Sequence, residues 1–153
     1  MNTNRYHHGN ETRVQMPVAS ATVIEIGDTI HLVSGLAVNA AGLAKETDDT
    51  AARETAADTI IGMARTASAN GETDPVVVDI SLEAIYELDL QSAGALSFGD
   101  LVEIFASLSY VVDQQFVAGS TSPVAVCVKE KPATGTKFLA KLVPQKLLNT
   151  PQD

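Results

Sequence analysis

Histidine is the side chain best suited to proton transfer and zinc binding near neutral pH, and this chain has three: His7, His8 and His31. His7 and His8 lie in a stretch, residues 1–13, that has no aliphatic side chain beyond Met1. His31 lies at an outward position of a predicted strand, so we expect its side chain to be exposed. A zinc site needs several ligands of matched geometry, and the spacing of these histidines does not supply them.

Paired carboxylates are the second group of residues that could bind cations or act as acid and base. They occur at Asp48 with Asp49, at Glu72 with Asp74, and at Glu87 with Asp89. None of these pairs has the spacing of an EF-hand loop, which favours solvated surface charge. The chain also lacks a nucleophile elbow, a glycine-rich phosphate loop and a dinucleotide fingerprint. The sequence therefore predicts no catalytic residue, no cofactor and no metal site, and it predicts that the protein is not an enzyme.

The charge balance limits the classes of partner that the protein can bind. Nineteen acidic against ten basic residues give a formal net charge of -9, which repels phosphate backbones and anionic lipid headgroups. We therefore expect neither nucleic acid nor a membrane as a partner.

No apolar run approaches the roughly 20 residues of a membrane-spanning helix, and the N-terminus lacks a signal-peptide apolar region. The basic residues near the C-terminal end could form a positive strip: Lys129, Lys131, Lys137, Lys141 and Lys146.

The elements that must position these residues are mostly strands, because the dominant hydrophobic period is two. The inward positions of three such runs are Val76, Val78, Ile80 and Leu82; Ala84, Tyr86, Leu88 and Leu90; and Phe138, Ala140 and Leu142. One helix is predicted over residues 50–58, and the single cysteine, Cys127, falls in a predicted buried strand. The fold class is mainly β: an antiparallel barrel-like or sandwich domain at 14–148, with a flexible arm at 1–13 and a tail at 149–153.

A short sequence echo indicates two related β lobes. Residues 26–32 and residues 98–104 each carry an apolar residue, then Gly-Asp, then alternating apolar positions. Gly27 with Asp28, and Gly99 with Asp100, are predicted to form tight turns that lead into strands. A later apolar strand follows each copy, at residues 60–64 and 124–128.

Three segments together resemble a known protein family. They are residues 18–28 (VASATVIEIGD), residues 60–64 (IIGMA) ahead of the Asn-Gly turn at 70–71, and residues 98–102 (FGDLV). In order and spacing these segments resemble tailed-bacteriophage head decoration proteins, the capsid cement proteins related in fold to the lambda-type head decoration protein.

The resemblance implies a structural protein of the virion, made in the host bacterial cytoplasm. Such proteins have no catalytic residues; they trimerise on the outer surface of the head and clamp neighbouring major capsid subunits. In that family the N-terminal arm contacts the shell, which carries over here to residues 1–16, with Arg5, Tyr6, Arg13 and Val14 as anchors. The strand alternation leaves four apolar residues out of phase with the inward sets, and these are the predicted trimer contacts: Leu101, Phe105, Leu139 and Val143.

Two other functions fit the same sequence. A β-barrel binding module could hold a small molecule or a glycan in a cleft lined by Tyr86, Tyr110 or Phe116. A structural subunit of a phage tail is the third possibility.

Overall fold

The computed structural model describes residues 4–144, apart from the side chains of Arg5 and Asp113. This part of the chain is mainly β, with one α-helix, α1 (Asp49–Thr59), and a 3₁₀ helix (Ala40–Gly42). Its eleven strands are β1 (Arg5–His8), β2 (Arg13–Met16), β3 (Thr29–Val33), β4 (Leu36–Asn39), β5 (Ile60–Ala64), β6 (Val76–Asp79), β7 (Ile85–Asp89), β8 (Leu101–Ser107), β9 (Tyr110–Ala118), β10 (Ala125–Cys127) and β11 (Lys137–Leu142). The expected fold class is confirmed.

The strands form two antiparallel sheets that repeat one topology. The first sheet has the order β2-β6-β5-β3-β4, and the second has the order β1-β7-β11-β10-β8-β9. Without β1, both sheets place their strands in the same order along the chain. We call residues 13–79 the first lobe and residues 85–142 the second lobe.

The Gly-Asp turn of the first lobe is held by backbone and side-chain hydrogen bonds. Gly27 has a φ of 91°, and the N–H of Asp28 donates to Glu25 O at 3.1 Å. The carboxylate of Asp28 in turn accepts from the N–H of Glu25 at 2.8 Å. Ala64 of β5 then pairs with the turn, because it accepts from Gly27 N–H at 2.9 Å and donates to Asp28 O at 2.9 Å.

The second lobe repeats this arrangement bond for bond. Gly99 also has a φ of 91°, and Asp100 exchanges the same two hydrogen bonds with Ser97, at 3.1 and 2.8 Å. Cys127 of β10 accepts from Gly99 N–H at 2.8 Å and donates to Asp100 O at 2.8 Å. Residues 14–32 thus correspond to residues 86–104 without a gap. The prediction of two related lobes is confirmed by this geometry.

Helix α1 lies in the connection between β4 and β5, and the second lobe has only a short loop at that point. Asp48 caps the helix by accepting from Ala51 N–H at 2.8 Å. The buried face consists of Ala52, Ala56 and Ala57, which pack into the apolar core of the second lobe. The helix predicted at 50–58 is therefore confirmed, and it joins the two lobes through small side chains.

The N-terminal segment differs from the expected flexible arm. β1 pairs with β7, and β2 pairs with β6, so residues 5–8 and 13–16 belong to the two sheets. Between them, Thr12 N–H donates to the Asp79 carboxylate at 2.9 Å. The segment is ordered by backbone pairing at the sheet edges, which needs no aliphatic side chains of its own. Residues 1–3 and 145–153, including the expected tail and Lys146, lie outside the described residues.

The Gly99 turn gives a direct test of the turn geometry. An alanine at Gly99 meets no atom within 4 Å, so its cost comes only from the positive φ. We expect Gly99→Ala to lower the free energy of unfolding by about 1 to 2 kcal/mol in urea titrations. Gly94 is also uncrowded but has no positive φ, so Gly94→Ala is the matched control and should leave stability unchanged. Equal stability of the two variants would contradict the left-handed turn.

Candidate functional site

A buried carboxylate anchors the N-terminal segment where the two sheets meet. Asp79 is 1% exposed and accepts from Thr12 N–H at 2.9 Å and from Ser81 N–H at 3.0 Å. The Tyr86 hydroxyl donates to the other oxygen of the same carboxylate. Burial, followed by the hydrogen bond and the negative charge of Asp79, raises the pKa of Tyr86, so the phenol stays protonated. All these partners belong to the protein, which makes Asp79 a structural anchor.

Two of the four predicted capsid anchors, Tyr6 and Arg13, make side-chain contacts within the chain. The ring of Tyr6 packs edge-on against Tyr86 at 6.2 Å, and the Arg65 guanidinium lies 5.0 Å from the ring of Tyr6. Arg13 forms an ion pair with Glu11 at 2.6 Å, although about half of its side chain remains exposed. The two other anchors are Val14, which is half-buried in β2, and Arg5, which lies opposite Glu87 in the ladder of β1 and β7.

A polar network fixes the turn of the first lobe against the second lobe. Asp28 is fully buried and accepts from Gln114 of β9 at 2.6 Å and from Asn39 at 3.2 Å. The Asn4 amide donates to Gly27 O at 3.1 Å. The equivalent residue of the second lobe, Asp100, is exposed. The structural turns were thus predicted correctly, but the two copies have different surroundings.

The expectation that His31 is exposed is wrong. Its side chain is fully buried, and its ring nitrogens lie 3.1 Å from Thr29 Oγ1 and 3.0 Å from Thr59 Oγ1. Thr59 is the last residue of α1, so the inserted helix covers this position of β3. Burial lowers the pKa of His31 to about 3, which leaves the ring neutral at physiological pH.

The residue equivalent to His31 is Glu103, and it is buried as well. Its carboxylate accepts from the N–H groups of Thr121 and Ser122 at 2.8 and 2.9 Å. Arg53 of α1 lies 3.4 Å from the other oxygen. The same position of the repeat therefore carries a buried polar group in both lobes, and each group is satisfied by the connection that follows its hairpin.

Two lysines of the predicted strip, Lys131 and Lys137, make contacts within the chain, while Lys129 is exposed. Lys131 is buried, and its ammonium donates to Gly94 O, Gly135 O and Pro132 O at 2.6, 2.7 and 2.9 Å. It holds two loops together by occupying a cage of carbonyl oxygens. Lys137 pairs with Asp89 at 3.0 Å across the ladder of β7 and β11.

The proposed ligand cleft is not formed by the three aromatic residues named for it. Tyr86 and Phe116 are core residues at 0% and 1% exposure, while Tyr110 is exposed beside the turn between β8 and β9. The surface has open depressions instead, one of about 350 Å³ whose lining includes Glu87, Lys129 and Lys137. Among the described residues, no group of three or more His, Cys, Asp or Glu side chains could hold a metal ion.

The outer face of the second sheet carries most of the predicted trimer contacts. Leu101 lies opposite Val126, and Val126 lies opposite Lys141. Leu139 and Val143 flank Lys141, so they share this face with Leu101, which is 37% exposed. Phe105 lies farther along β8, at an irregularity in its pairing with β9.

Two exposed apolar side chains at the turn tips were missed from the sequence. Ile26 and Phe98 occupy the same position of the repeated turn, before the glycine, and are 53% and 72% exposed. The echo contains both residues, so the signal was present in the sequence. Burial at such a tip depends on contacts from elsewhere in the chain, which the echo does not specify.

No protein family, curated protein or solved structure matches this chain. Within residues 4–144, no helix has the length and apolar character needed to cross a membrane.

The buried imidazole of His31 predicts a specific loss of stability in acid. The folded-state pKa of about 3 lies below the unfolded value of 6.5, so only the unfolded chain gains a proton as pH falls through this window. The stabilisation is complete above pH 6.5 and declines by about 1.4 kcal/mol per pH unit below it. We expect the free energy of unfolding of His31→Asn to fall less steeply with decreasing pH than that of the wild type, as measured by urea titrations at pH 7, 5.5 and 4.

The control for this measurement is His8→Asn, which changes an exposed histidine. Its free energy of unfolding should change with pH as steeply as that of the wild type. If His31→Asn also retains the full slope, another group is responsible for the acid sensitivity.

Proposed function

We propose that this chain is a capsid decoration protein that binds the outer surface of a tailed-phage head as a homotrimer and stabilises contacts between major capsid subunits. The observation that carries the proposal is the set of large apolar side chains that the fold leaves in solvent. Phe98 is 72% exposed and Leu101 is 37% exposed, within one turn and the start of the strand that follows it. Clustered apolar exposure of this kind favours association with another protein.

The sequence resemblance supports the same function. The segments that resemble decoration proteins include both Gly-Asp turns and the strand at 60–64 that pairs with the first turn. These segments therefore contain the turns that the two lobes repeat and the strand that pairs with the first turn. The exposed residues Phe98 and Leu101 lie within them. The charge agrees as well, because a net charge of -9 is unsuited to binding nucleic acid inside a head.

The residues proposed for the trimer lie on the outer face of β8, β10 and β11. Leu101, Leu139 and Val143 are partly exposed there, next to Val126. We infer that this face packs against its copies in the trimer. Tyr6 already has partners within the chain, so we do not propose its side chain as a capsid contact.

The binding experiment mixes the purified protein with undecorated heads of the phage that encodes it and measures occupancy by electron microscopy. Saturable decoration at three-fold positions is the expected result. Truncation of residues 2–13 is unsuited to this test, because it removes β1 and uncovers Tyr86. Full-length protein that leaves the heads bare would contradict the proposal.

The trimer is tested by charge substitution on the outer face. We expect Leu101→Glu to shift the protein from trimer to monomer in light scattering at tens of micromolar, because each interface would bury an unpaired carboxylate. Leu108→Glu is the matched control: Leu108 is 83% exposed in the turn between β8 and β9, away from this face. It should remain trimeric. A wild-type monomer, or a trimer that tolerates Leu101→Glu, would exclude this interface.

A further inference from the structure

The two lobes differ at one equivalent edge. In the second sheet, β7 carries β1 on the side away from β11. In the first sheet the equivalent strand is β2, because Val14 pairs with Val78 as Tyr86 pairs with Ala140. β2 is an outermost strand, and no described strand pairs with the side that faces away from β6. The repeat therefore has one copy of this edge occupied and one copy open.

The hydrogen-bond pattern shows which groups of β2 are directed to the open side. The N–H of Ile80 donates to Thr12 O at 2.8 Å, so Val14, two residues on, also directs its backbone groups to β6. The backbone groups of Arg13 and Gln15 therefore face away from β6. The residue equivalent to Gln15 is Glu87, and β1 pairs with it at Arg5.

Burial of the side chains shows the same difference. Tyr86 and Leu88 of β7 are both 0% exposed, and the ring of Tyr6 from β1 packs against Tyr86 at 6.2 Å. Their equivalents on β2, Val14 and Met16, are only half-buried. The open edge thus combines backbone groups that no described strand pairs with and apolar surface that the equivalent edge covers. The missing component is a strand with one large apolar side chain.

We propose that the open edge of β2 binds an extended strand of another protein chain, antiparallel to β2, with an aromatic or large aliphatic side chain over Val14. The evidence for this occupant is β1 itself, which fills the equivalent edge in that way. The inference rests on the proposed function, and it places the added strand in the major capsid subunit. Main-chain hydrogen bonds supply the affinity, as in other cases of strand addition.

The chain's own β1 is not available for this edge. It is fixed to the second lobe by its pairing with β7, by the packing of Tyr6 on Tyr86 and by the Asn4 N–H, which donates to the Gln114 side chain of β9 at 3.3 Å. β2 has four residues and is followed by Pro17, which lacks an N–H and whose carbonyl on the same side accepts from Ala37 N–H of β4 at 2.8 Å. The open part of the edge is therefore limited to residues 13–16, and the added strand to a similar length. So short a pairing is weak alone, but three edges in a trimer bind one particle together.

The test compares two variants of β2 that differ in the outward N–H of residue 15. Gln15→Pro deletes that group, while Gln15→Ala keeps it and is the matched control, since both variants lose the exposed side chain. We expect Gln15→Ala to decorate undecorated heads like wild type and Gln15→Pro to bind at least tenfold more weakly. Hydrogen exchange of the wild-type protein is the second measurement. The amides of Arg13 and Gln15 should exchange rapidly in the free protein and become protected on the heads.

The outcomes separate the two proposals. Equal binding of the two Gln15 variants, with no new protection at Arg13 and Gln15, overturns the edge site and leaves the decoration function in place. Wild-type protein that does not bind heads overturns both. If Gln15→Pro dissociates the trimer in light scattering, a second copy of this chain occupies the edge, and the capsid assignment is rejected.

Discussion

The pairing of each Gly-Asp turn with a returning strand is the constraint on which both lobes depend. Gly27 and Asp28 exchange two backbone hydrogen bonds with Ala64, and Gly99 and Asp100 exchange the same two with Cys127. These bonds join residues that are far apart in the chain, so they fix the register of β3 against β5 and of β8 against β10. Once that register is set, the alternation of side chains decides which face is core. The positive φ of the glycine is the local requirement for this long-range contact.

The connection after the hairpin determines how each lobe uses its buried polar position. In the first lobe this connection contains α1, which covers His31 and keeps it neutral. In the second lobe the short loop supplies two N–H donors to Glu103, so the carboxylate is buried with its hydrogen bonds made. A polar residue at the same site is thus tolerated in two ways. Both depend on a segment outside the strand that carries the residue.

The predictions from sequence succeeded where the information is local and were limited where it is not. The alternation at residues 76–79 and 85–89, the alanine-rich helix and the paired turns are all encoded in neighbouring residues. His31 was assigned to the surface because nothing near it in the sequence reveals that α1 lies over β3. Lys131 was assigned to an exposed strip because the charge pattern does not show that two loops enclose its ammonium group. The segment at 5–8 was expected to be free because backbone pairing to an edge leaves no hydrophobic signal.

The two lobes differ at two equivalent surfaces, the Gly-Asp turn and one strand edge. The Asp28 carboxylate in the turn of the first lobe is covered by Gln114, and Asn4 bonds to Gly27 O, whereas the equivalent Asp100 in the second lobe is exposed. At the strand edge the situation is reversed, since β7 is covered by β1 and β2 is not. Each lobe therefore shows, in covered form, a surface that the other lobe leaves open. Apolar surface that stays in solvent is stabilised when a partner covers it, so we propose Phe98 at the turn of the second lobe and the open edge of the first lobe as places of association.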